Sequence, residues 1–311
     1  MKCVKGDMLS VFSLGTAQLG MPHGFASKGE MILEEKAFQI LDKAVALGVN
    51  NIDTANNYGT SETVIGHWLE KRKREGEALP WISTKIGPLK HGSFDILRDD
   101  VLRQVEDCRR KLGVETIECL MLHEFDDYSA DPDALQKIFQ ELKAEKLCHR
   151  SAISVCSHND YNMIANSGFD AAQIPLNVFD WRQIENGGID CLKNAGVMIF
   201  AHSVFLQGFV FQKPSSLDPR MDFCKPVLKK YLNICKEFRM TPGGLALSFV
   251  FSIPGVETVV LGCDNVKQVA ANCSLIEQVV HLTPAHLSIL HEAFKDTEQR
   301  VINPGMWYDH A

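Results

Sequence analysis

Short apolar runs rich in β-branched residues recur along the chain, and most of them are separated by segments with helical periodicity. The eight runs are LSVFSLG, VNNID, WISTK, IECLML, SAISV, FDAAQIPL, VMIFA and ETVVLG. One helix is predicted between Ser93 as N-cap and Gly113 as C-terminal stop, and another begins at Thr241 with Pro242 in its first turn. Eight strands that alternate with helices predict an α/β protein with a (β/α)₈ TIM barrel.

An open, doubly wound sheet is the alternative interpretation of the same alternation. Its dinucleotide-binding fingerprint, G-x-G-x-x-G after the first strand, does not occur here, so the barrel is favoured. A chain of 311 residues fits one barrel, and no low-complexity linker divides it. We therefore expect a single domain over residues 1–311.

The composition argues against some classes of function. With 45% hydrophobic and 23% charged residues the chain is typical of a globular protein, and its net charge of -7 argues against a nucleic-acid partner. No segment is continuously apolar over a membrane crossing, and the N-terminus lacks the apolar core of a signal peptide. The ten cysteines are scattered without a C-x-x-C pair. These features predict a cytoplasmic protein with reduced thiols and no membrane partner.

Four polar residues lie at or just after the ends of the second, third and fourth predicted strands. They are Asp53, Tyr58, Lys85 and His123. In a (β/α)₈ barrel, side chains that follow neighbouring strands converge at the C-terminal end of the barrel. We therefore expect these four to form one site.

The chemistry of these side chains fits proton transfer at a carbonyl group. The ammonium of Lys85 can stabilise the tyrosinate form of Tyr58 by charge, while Asp53 supplies the counter-charge that holds the lysine. Neutral His123 can donate a hydrogen bond to a carbonyl oxygen. The set is predicted to protonate a carbonyl that is being reduced, or to deprotonate an alcohol that is being oxidised.

Longer motifs around these residues are similar to those of a known family. NIDTANNYGTSETVIG matches the pattern D-T-A-x-x-Y-G-x-x-E-x-x-I-G, STKIG matches a lysine strand, and LMLHEFDD matches a histidine strand. Together with LGTAQLG and GGLALSFVFSIPGVETVVLGCDN, they give nearly the whole chain a resemblance to the aldo-keto reductases. LGTAQLG and HSVFLQGFVF resemble a bacterial branch associated with sugar or polysaccharide metabolism.

The resemblance implies a barrel enzyme that uses a nicotinamide dinucleotide as hydride donor or acceptor. Tyr58 would be the general acid or base, Lys85 and Asp53 its partners, and His123 the group that orients the carbonyl. The cofactor-binding residues that the resemblance implies are Thr16, Asp53, Ser154, Gln173, His202, Ser203, Phe205, Gln207, Gly208, Gly262, Asp264, Asn265, Gln268 and Asn272.

The implied contacts run from the nicotinamide to the adenosine of the cofactor. Ser154 and Gln173 would hold the carboxamide, and His202 stands where many members have an aromatic residue stacked on the nicotinamide. The loop after the seventh strand would pass along the pyrophosphate. Asn265 would open a helix at the adenosine end, and the N-terminus of that helix favours phosphate.

The adenosine end departs from the pattern of members that prefer NADP(H). Those members usually carry basic residues where this chain has Gly262, Asp264 and Gln268. Asp264 would repel a 2′-phosphate or accept a hydrogen bond from a free ribose hydroxyl, although Lys267 is a candidate compensating cation. NAD(H) is therefore expected to be favoured, with NADP(H) as the alternative.

The expected substrate is a polar carbonyl or hydroxyl compound, with a sugar or sugar derivative as the leading candidate. Polar residues that support this expectation are His23 and Lys28 in the first loop, and Asn177 and Arg182 after the sixth strand. The competing hypothesis is a redox-sensing or regulatory subunit that binds the cofactor and turns over slowly. The direction of reaction, the oligomeric state and the role of residues 211–225, as lid or as oligomer contact, stay open.

Cysteine and histidine residues near the fifth strand raise the question of a metal site. Cys148, His149, Cys156 and His158 lie on both sides of that strand, and alternation sends neighbouring side chains to opposite faces. No metal site is predicted.

Overall fold

The computed structural model describes residues 2–4, 7–22, 31–156 and 159–307, and the structural statements below refer to these ranges. Its barrel strands are β1 (Phe12–Gly15), β2 (Asn51–Asp53), β3 (Trp81–Ile86), β4 (Ile117–Leu122), β5 (Cys148–Ser154), β6 (Ala171–Pro175), β7 (Met198–His202) and β8 (Val256–Gly262). All neighbours are parallel, and the order β8-β1-β2-β3-β4-β5-β6-β7 closes on itself. The prediction of a (β/α)₈ barrel is confirmed.

Helices follow every barrel strand. They are Ala17–Gly20 and Glu34–Ala46 after β1, Ser61–Arg74 after β2, Phe94–Leu112 after β3, Phe125–Ala130 and Pro132–Ala144 after β4, Tyr161–Ala165 after β5, Arg182–Glu185 and Gly188–Asn194 after β6, Lys225–Glu237 and Pro242–Ser252 after β7, and Val266–Glu277, Pro284–Phe294 and Gln299–Ile302 after β8. Ser93 caps one of them by accepting a hydrogen bond from the amide of Ile96, and Gly113 ends that helix with φ of 63°. Both predicted helix starts, at Ser93 and at Thr241, are confirmed.

The strands bury side chains on both faces, which gives the protein two separate apolar clusters. The inner cluster consists of Leu9, Cys119, Met121, Ala152, Ala171, Met198 and Phe200. The larger outer cluster packs the other strand face, for example Ile82 and Ile153, against helix residues such as Leu97. Burial on both faces explains why the strands appear in the sequence as nearly continuous apolar runs.

The first predicted run, LSVFSLG, is divided in the structure. Leu9 ends the second strand of an antiparallel hairpin, Lys2–Val4 with Asp7–Leu9, whereas β1 begins only at Phe12. Ser10 interrupts the run, because its amide donates to Oδ1 of Asn50 and its hydroxyl donates to the carbonyl of Phe12. Side-chain bonds of this kind compete with strand pairing.

The segment after β7 contains three short 3₁₀ helices, Leu206–Phe211, Pro214–Ser216 and Pro219–Cys224. Met221 and Cys224 are fully buried and anchor its end in the core. Within the described ranges, no helix is both long and apolar enough to cross a membrane.

Candidate active site

The side chains at the C-terminal end of the barrel continue the inward-facing series of each strand. Residues two positions apart point to the same face of a strand, so each inward residue fixes the direction of the next but one. Lys85 follows Ser83, whose hydroxyl donates to Asn51 inside the barrel. The same spacing joins Asn51 to Asp53, Met121 to His123, Ala152 to Ser154, Ala171 to Gln173 and Phe200 to His202. Side chains from six strands therefore meet at one end of the barrel.

Lys85 and Asp53 form a buried ion pair between neighbouring strands. Nζ of Lys85 lies 2.7 Å from Oδ1 of Asp53 and donates a second hydrogen bond to the carbonyl of Thr54 at 3.0 Å. Burial alone would lower the pKa of Lys85, but the attraction of Asp53, with a contribution from Tyr58, outweighs burial and raises the pKa. The lysine is therefore held in its protonated state.

Tyr58 lies on a turn that is attached to the neighbouring strand. The amide of Asn56 donates to the carbonyl of Lys85 at 3.0 Å, and the amide of Tyr58 donates to the carbonyl of Ala55 at 3.1 Å. Nζ of Lys85 is 5.1 Å from the centre of the tyrosine ring. The His123 ring stands edge-on to Tyr58, with ring centroids 5.8 Å apart and planes at 79°. The structure thus brings together all four residues that the sequence singled out.

Two histidines of the site are kept neutral. Burial, reinforced by the charge of Lys85, lowers the pKa of His123 to about 4. Burial, together with Lys85 and His123, lowers the pKa of His202 to about 3. Nδ1 of His202 lies 2.8 Å from Oγ of Ser203, whereas Nδ1 of His123 is buried without a hydrogen-bond partner among the described residues. At neutral pH each ring keeps one donor nitrogen and one acceptor nitrogen.

One cavity of about 1090 Å³ extends from these residues to the helix Val266–Glu277. Tyr58, His123 and Asp53 line it, whereas Lys85 is fully buried and does not. The other predicted cofactor residues that line this cavity are Thr16, Ser154, Gln173, His202, Ser203, Phe205, Gln207, Gly208, Gly262, Asp264, Gln268 and Asn272. All the predicted cofactor-binding residues except Asn265 therefore line one cavity.

Three non-glycine residues with positive φ shape the loop that follows β7. Ser203, Leu206 and Gln207 have φ of 58°, 46° and 52°, and Gly208 has φ of 93°. Each such non-glycine residue costs on the order of 1 kcal/mol or more, and residues of this kind cluster at ligand sites. Leu206 is buried in the core, while the other three line the cavity.

At the far end of the cavity, Asp264 and Gln268 bind each other. Oε1 of Gln268 accepts from the amide of Asp264 at 2.7 Å, and its Nε2 donates to Oδ2 of Asp264 at 3.1 Å. Asn265 caps the helix Val266–Glu277, because its Oδ1 accepts from the amides of Lys267 and Gln268 at 3.0 and 3.1 Å. Two of the N–H groups expected to favour a phosphate are thus already satisfied, and the structure places neither Asn265 nor Lys267 in the cavity wall.

Several residues that line the cavity lie outside the predicted set. They include Gln18, Phe211, Gln212, Ser216, Asp218, Ala271 and Leu275. Gln18 packs against Gly262, where a Cβ would overlap the side-chain amide group of Gln18. A glycine at position 262 is the sequence feature that indicates such a close neighbour. Ser216 and Asp218 belong to residues 211–225, so part of this stretch borders the cavity.

Two polar residues expected near the substrate do not line the cavity. Asn177 is only 1% exposed, and its Oδ1 accepts from a backbone amide two residues later at 3.0 Å. Arg182 forms a double hydrogen bond with Asp180, at 2.8 and 2.6 Å. The structure therefore gives these two residues no place in the cavity wall, and each binds a residue close to it in its own loop. His23 and Lys28 lie outside the described residues.

Metal ligation has no geometric basis in the described part of the chain. No three His, Cys, Asp or Glu side chains there are grouped as metal ligands would be. Cys148 is buried and His149 is exposed, so these neighbours point to opposite faces of β5. His158 lies outside the described residues.

Comparison with known proteins gives consistent matches over most of the chain. The model of the Aldo/keto reductase family matches residues 12–293. The chain is 28% identical over 302 residues to "Aldo-keto reductase str7" of Strobilurus tenacellus, which covers 86% of this chain and 85% of that protein. It is 23% identical over 308 residues to L-galactose dehydrogenase of Arabidopsis thaliana, covering 89% and 87%. The holo form of an aldo-keto reductase from Bacillus halodurans shares the fold, with TM-score 0.74, 22% identity, and coverage of 96% of this chain and 97% of that one.

Proposed function

The chain belongs to the Aldo/keto reductase family, and on this premise we propose that it interconverts a carbonyl and an alcohol on a polar small molecule, using a nicotinamide dinucleotide. One observation carries the proposal. Asp53, Tyr58, Lys85 and His123 converge at one end of a single long cavity. A proton donor, its charge partners and a carbonyl-binding group therefore stand together where a substrate can meet a cofactor.

The cavity suits a nicotinamide dinucleotide in size and in lining. Its volume of about 1090 Å³ slightly exceeds the usual range of ligand pockets, about 300–1,000 Å³. Ser154 and Gln173 would hold the nicotinamide carboxamide, His202 would face the ring, and the loop 203–208 would follow the pyrophosphate. When bound, the cofactor supplies or accepts the hydride.

Tyr58 moves the proton in this proposal. During reduction its O–H bond breaks and an O–H bond forms on the former carbonyl oxygen, which leaves a tyrosinate. The ammonium of Lys85, 5.1 Å from the ring centre, stabilises that tyrosinate by charge. Asp53 holds the ammonium at 2.7 Å. When an alcohol is oxidised, the proton moves in the opposite direction, from the alcohol to the tyrosinate.

His123 orients the carbonyl in this proposal. With a pKa of about 4 it is neutral at pH 7, so it can donate a hydrogen bond to the carbonyl oxygen while Tyr58 delivers the proton. The two ring centroids are 5.8 Å apart, and in this proposal the polar groups of both rings act on one oxygen atom.

We favour NAD(H) over NADP(H) as the cofactor. A 2′-phosphate at the adenosine end would meet the carboxylate of Asp264, and Gln268 is already bound to that carboxylate. Lys267, the candidate compensating cation, is exposed outside the cavity wall. Binding of NADPH about tenfold tighter than NADH, a difference of about 1.4 kcal/mol, would contradict this preference.

A sugar or sugar derivative is our leading substrate class, with a role in carbohydrate metabolism and a cytoplasmic location. The support is the resemblance of LGTAQLG and HSVFLQGFVF to a sugar-associated branch, together with the similarity to a protein named L-galactose dehydrogenase. A panel of aldoses, sugar aldehydes and simple aldehydes, with the matching alcohols in the reverse direction, tests substrate and direction together.

The deciding experiment combines cofactor binding with turnover. The wild type should quench or enhance NADH fluorescence and turn over at least one substrate class. Tyr58→Phe should lose about a hundredfold or more of kcat while the Kd for NADH stays within about twofold. Tyr161→Phe is the matched control, because its hydroxyl is buried away from the cavity without a partner among the described residues.

The outcomes separate the hypotheses. NADH binding without turnover of any substrate would favour the redox-sensing or regulatory subunit. Absence of binding to both NADH and NADPH would contradict the enzyme and the sensor alike.

A further inference from the structure

We propose that Gln104 is a positioning residue that couples the turn carrying Tyr58 to the chain segment that follows Lys85. The inference rests on the proposed function, because it concerns how the proton-transfer groups of that site are held in position relative to each other. Gln104 lies on the helix Phe94–Leu112 and does not line the large cavity. It would act through the loops that it binds.

The side-chain amide of Gln104 bridges two catalytic loops. Its Oε1 accepts from Nδ2 of Asn56 at 2.8 Å and from the amide of Gly87 at 3.0 Å. Its Nε2 donates to the carbonyl of Pro88 at 3.2 Å and to Oδ2 of Asp100 at 2.9 Å. With two bonds accepted and two donated, the capacity of the amide is fully used. Gln104 is 7% exposed, so these bonds are largely shielded from water.

Side chains from helices accept hydrogen bonds from the backbone of the segment that follows β3. The amide of Lys90 donates to Oδ2 of Asp100 at 3.1 Å, and the amide of Leu89 donates to the carboxylate of Asp127 at 3.1 and 3.2 Å. Because Lys85 is two residues before Gly87, movement of this segment is expected to move the end of β3. Gln104 in addition binds Asn56 in the other loop.

In the turn that carries Tyr58, the hydrogen bond with Gln104 holds the side chain of Asn56 in place. Nδ2 of Asn56 binds Gln104, while its Oδ1 is buried without a hydrogen-bond partner among the described residues. Asn56 precedes Tyr58 by two residues, and its amide binds the carbonyl of Lys85. Loss of the bridge is therefore expected to loosen the turn next to the proton donor.

Small displacements of a proton donor lower the rate of the chemical step more than they change binding. The expected signature is therefore a split between kcat and the binding constants. Gln104→Leu and Asn56→Ala should each lower kcat about tenfold or more, with KM for the carbonyl and Kd for NADH within about threefold of wild type.

A double variant tests whether the two residues act as one unit. If they act through their hydrogen bond, Gln104→Leu combined with Asn56→Ala should lower kcat no further than the larger single effect. Multiplication of the two single effects would overturn the inference, and so would an unchanged kcat in both single variants. If Gln104→Leu fails to fold, Asn56→Ala carries the test, because it removes only one bond of the bridge.

Arg103→Gln is the matched control. Arg103 is the neighbouring residue on the same helix and binds Oδ1 of the same Asp100, but its side chain is 62% exposed and, among the described residues, it forms no hydrogen bond with either loop. Its kcat should stay within about twofold of wild type. An equal loss of kcat in Arg103→Gln would assign the effect to Asp100 or to helix stability and overturn the role of Gln104.

Hydrogen exchange gives a readout that does not depend on turnover. In the cofactor-free protein, amide exchange over residues 54–58 and 87–90 should become faster in Gln104→Leu and remain unchanged in Arg103→Gln. A wild type that turns over no substrate would defeat the proposed function alone. Unchanged exchange in both segments of Gln104→Leu would defeat the coupling, whatever the activity.

Discussion

Nε2 of Gln173 donates a hydrogen bond of 2.7 Å to Oδ2 of Asp53, although the two residues lie 120 positions apart in the sequence. The other carboxylate oxygen of Asp53 accepts from Lys85, also at 2.7 Å. Gln173 is 4% exposed and lines the cavity at the proposed carboxamide position. One side chain therefore links the proposed cofactor-binding residues to the proton-transfer residues.

Gln173→Leu should destabilise the cofactor-free protein and weaken NADH binding. The substitution leaves a buried carboxylate oxygen of Asp53 without its donor, which costs about 1–3 kcal/mol. Urea unfolding at pH 7 should show a lower midpoint with an unchanged slope. Gln140→Leu, at an exposed position of the helix Pro132–Ala144, is the control and should change the free energy of unfolding by less than about 0.5 kcal/mol. Equal midpoints for Gln173→Leu and wild type would contradict the argument.

Stability should decline as the pH falls below about 6.5, because two half-buried histidines of the site resist protonation. In the folded protein the pKa is about 3 for His202 and about 4 for His123, both depressed from 6.5 by burial first and by nearby positive charge second. Between these values and 6.5 the unfolded chain binds more protons. The free energy of unfolding therefore falls with pH, by at most about 1.4 kcal/mol per pH unit for each histidine, until the folded state is protonated as well.

Urea titrations between about pH 7 and pH 5 measure this slope. His202→Gln removes one of the two groups and should flatten the slope. A slope that His202→Gln does not change would show that His202 is not kept neutral by the fold.

Gly20→Ala should displace the turn of Tyr58. A Cβ at Gly20 would overlap the carbonyl oxygen of Tyr58 and the amide nitrogen of Ser61, and a Cβ at Gly59 would overlap the carbonyl oxygen of Gly20. Backbone packs directly on backbone here, so no side chain can move aside. We expect a loss of stability of about 1–3 kcal/mol and a fall in kcat of about tenfold or more.

Gly92→Ala is the control for this effect. The three atoms nearest to a Cβ at Gly92 would all belong to the side chain of Ile96, the closest at 3.2 Å, and Ile96 is 52% exposed and free to shift. Its kcat should stay within about twofold of wild type. Full activity in Gly20→Ala would show that the turn of Tyr58 tolerates displacement.

The parts of the site that follow from strand alternation could be predicted from the sequence. The two-residue spacing of Ser83 and Lys85 sends both side chains inward, and the adjacency of β2 and β3 then brings Asp53 to Lys85. His123 needs only the same rule applied to β4. The barrel itself follows from eight apolar runs separated by helices.

The parts that depend on turns and on side-chain conformation could not be predicted. Asn177 is polar and follows a strand, but it turns back to its own backbone instead of facing the cavity. Asp218 reaches the cavity wall because of the path that the chain takes after β7. That path has positive φ at Ser203, Leu206 and Gln207, and these residue types do not predict a positive φ. Pairing between Gln173 and Asp53 likewise requires knowledge of which groups face each other across the barrel.

Asp264→Asn combined with Gln268→Arg should shift the cofactor preference toward NADPH. The first change removes the carboxylate that would repel a 2′-phosphate, and the second replaces the amide that now binds it with a guanidinium that pairs with phosphate. The ratio of Kd for NADPH to Kd for NADH should fall by about tenfold or more, which corresponds to about 1.4 kcal/mol. Lys267→Gln is the control, because Lys267 lies outside the cavity wall and its loss should change the ratio by no more than about twofold. A ratio that stays at the wild-type value in the double variant would show that the pair does not select the cofactor, and a large effect of Lys267→Gln would assign the selection to that lysine instead.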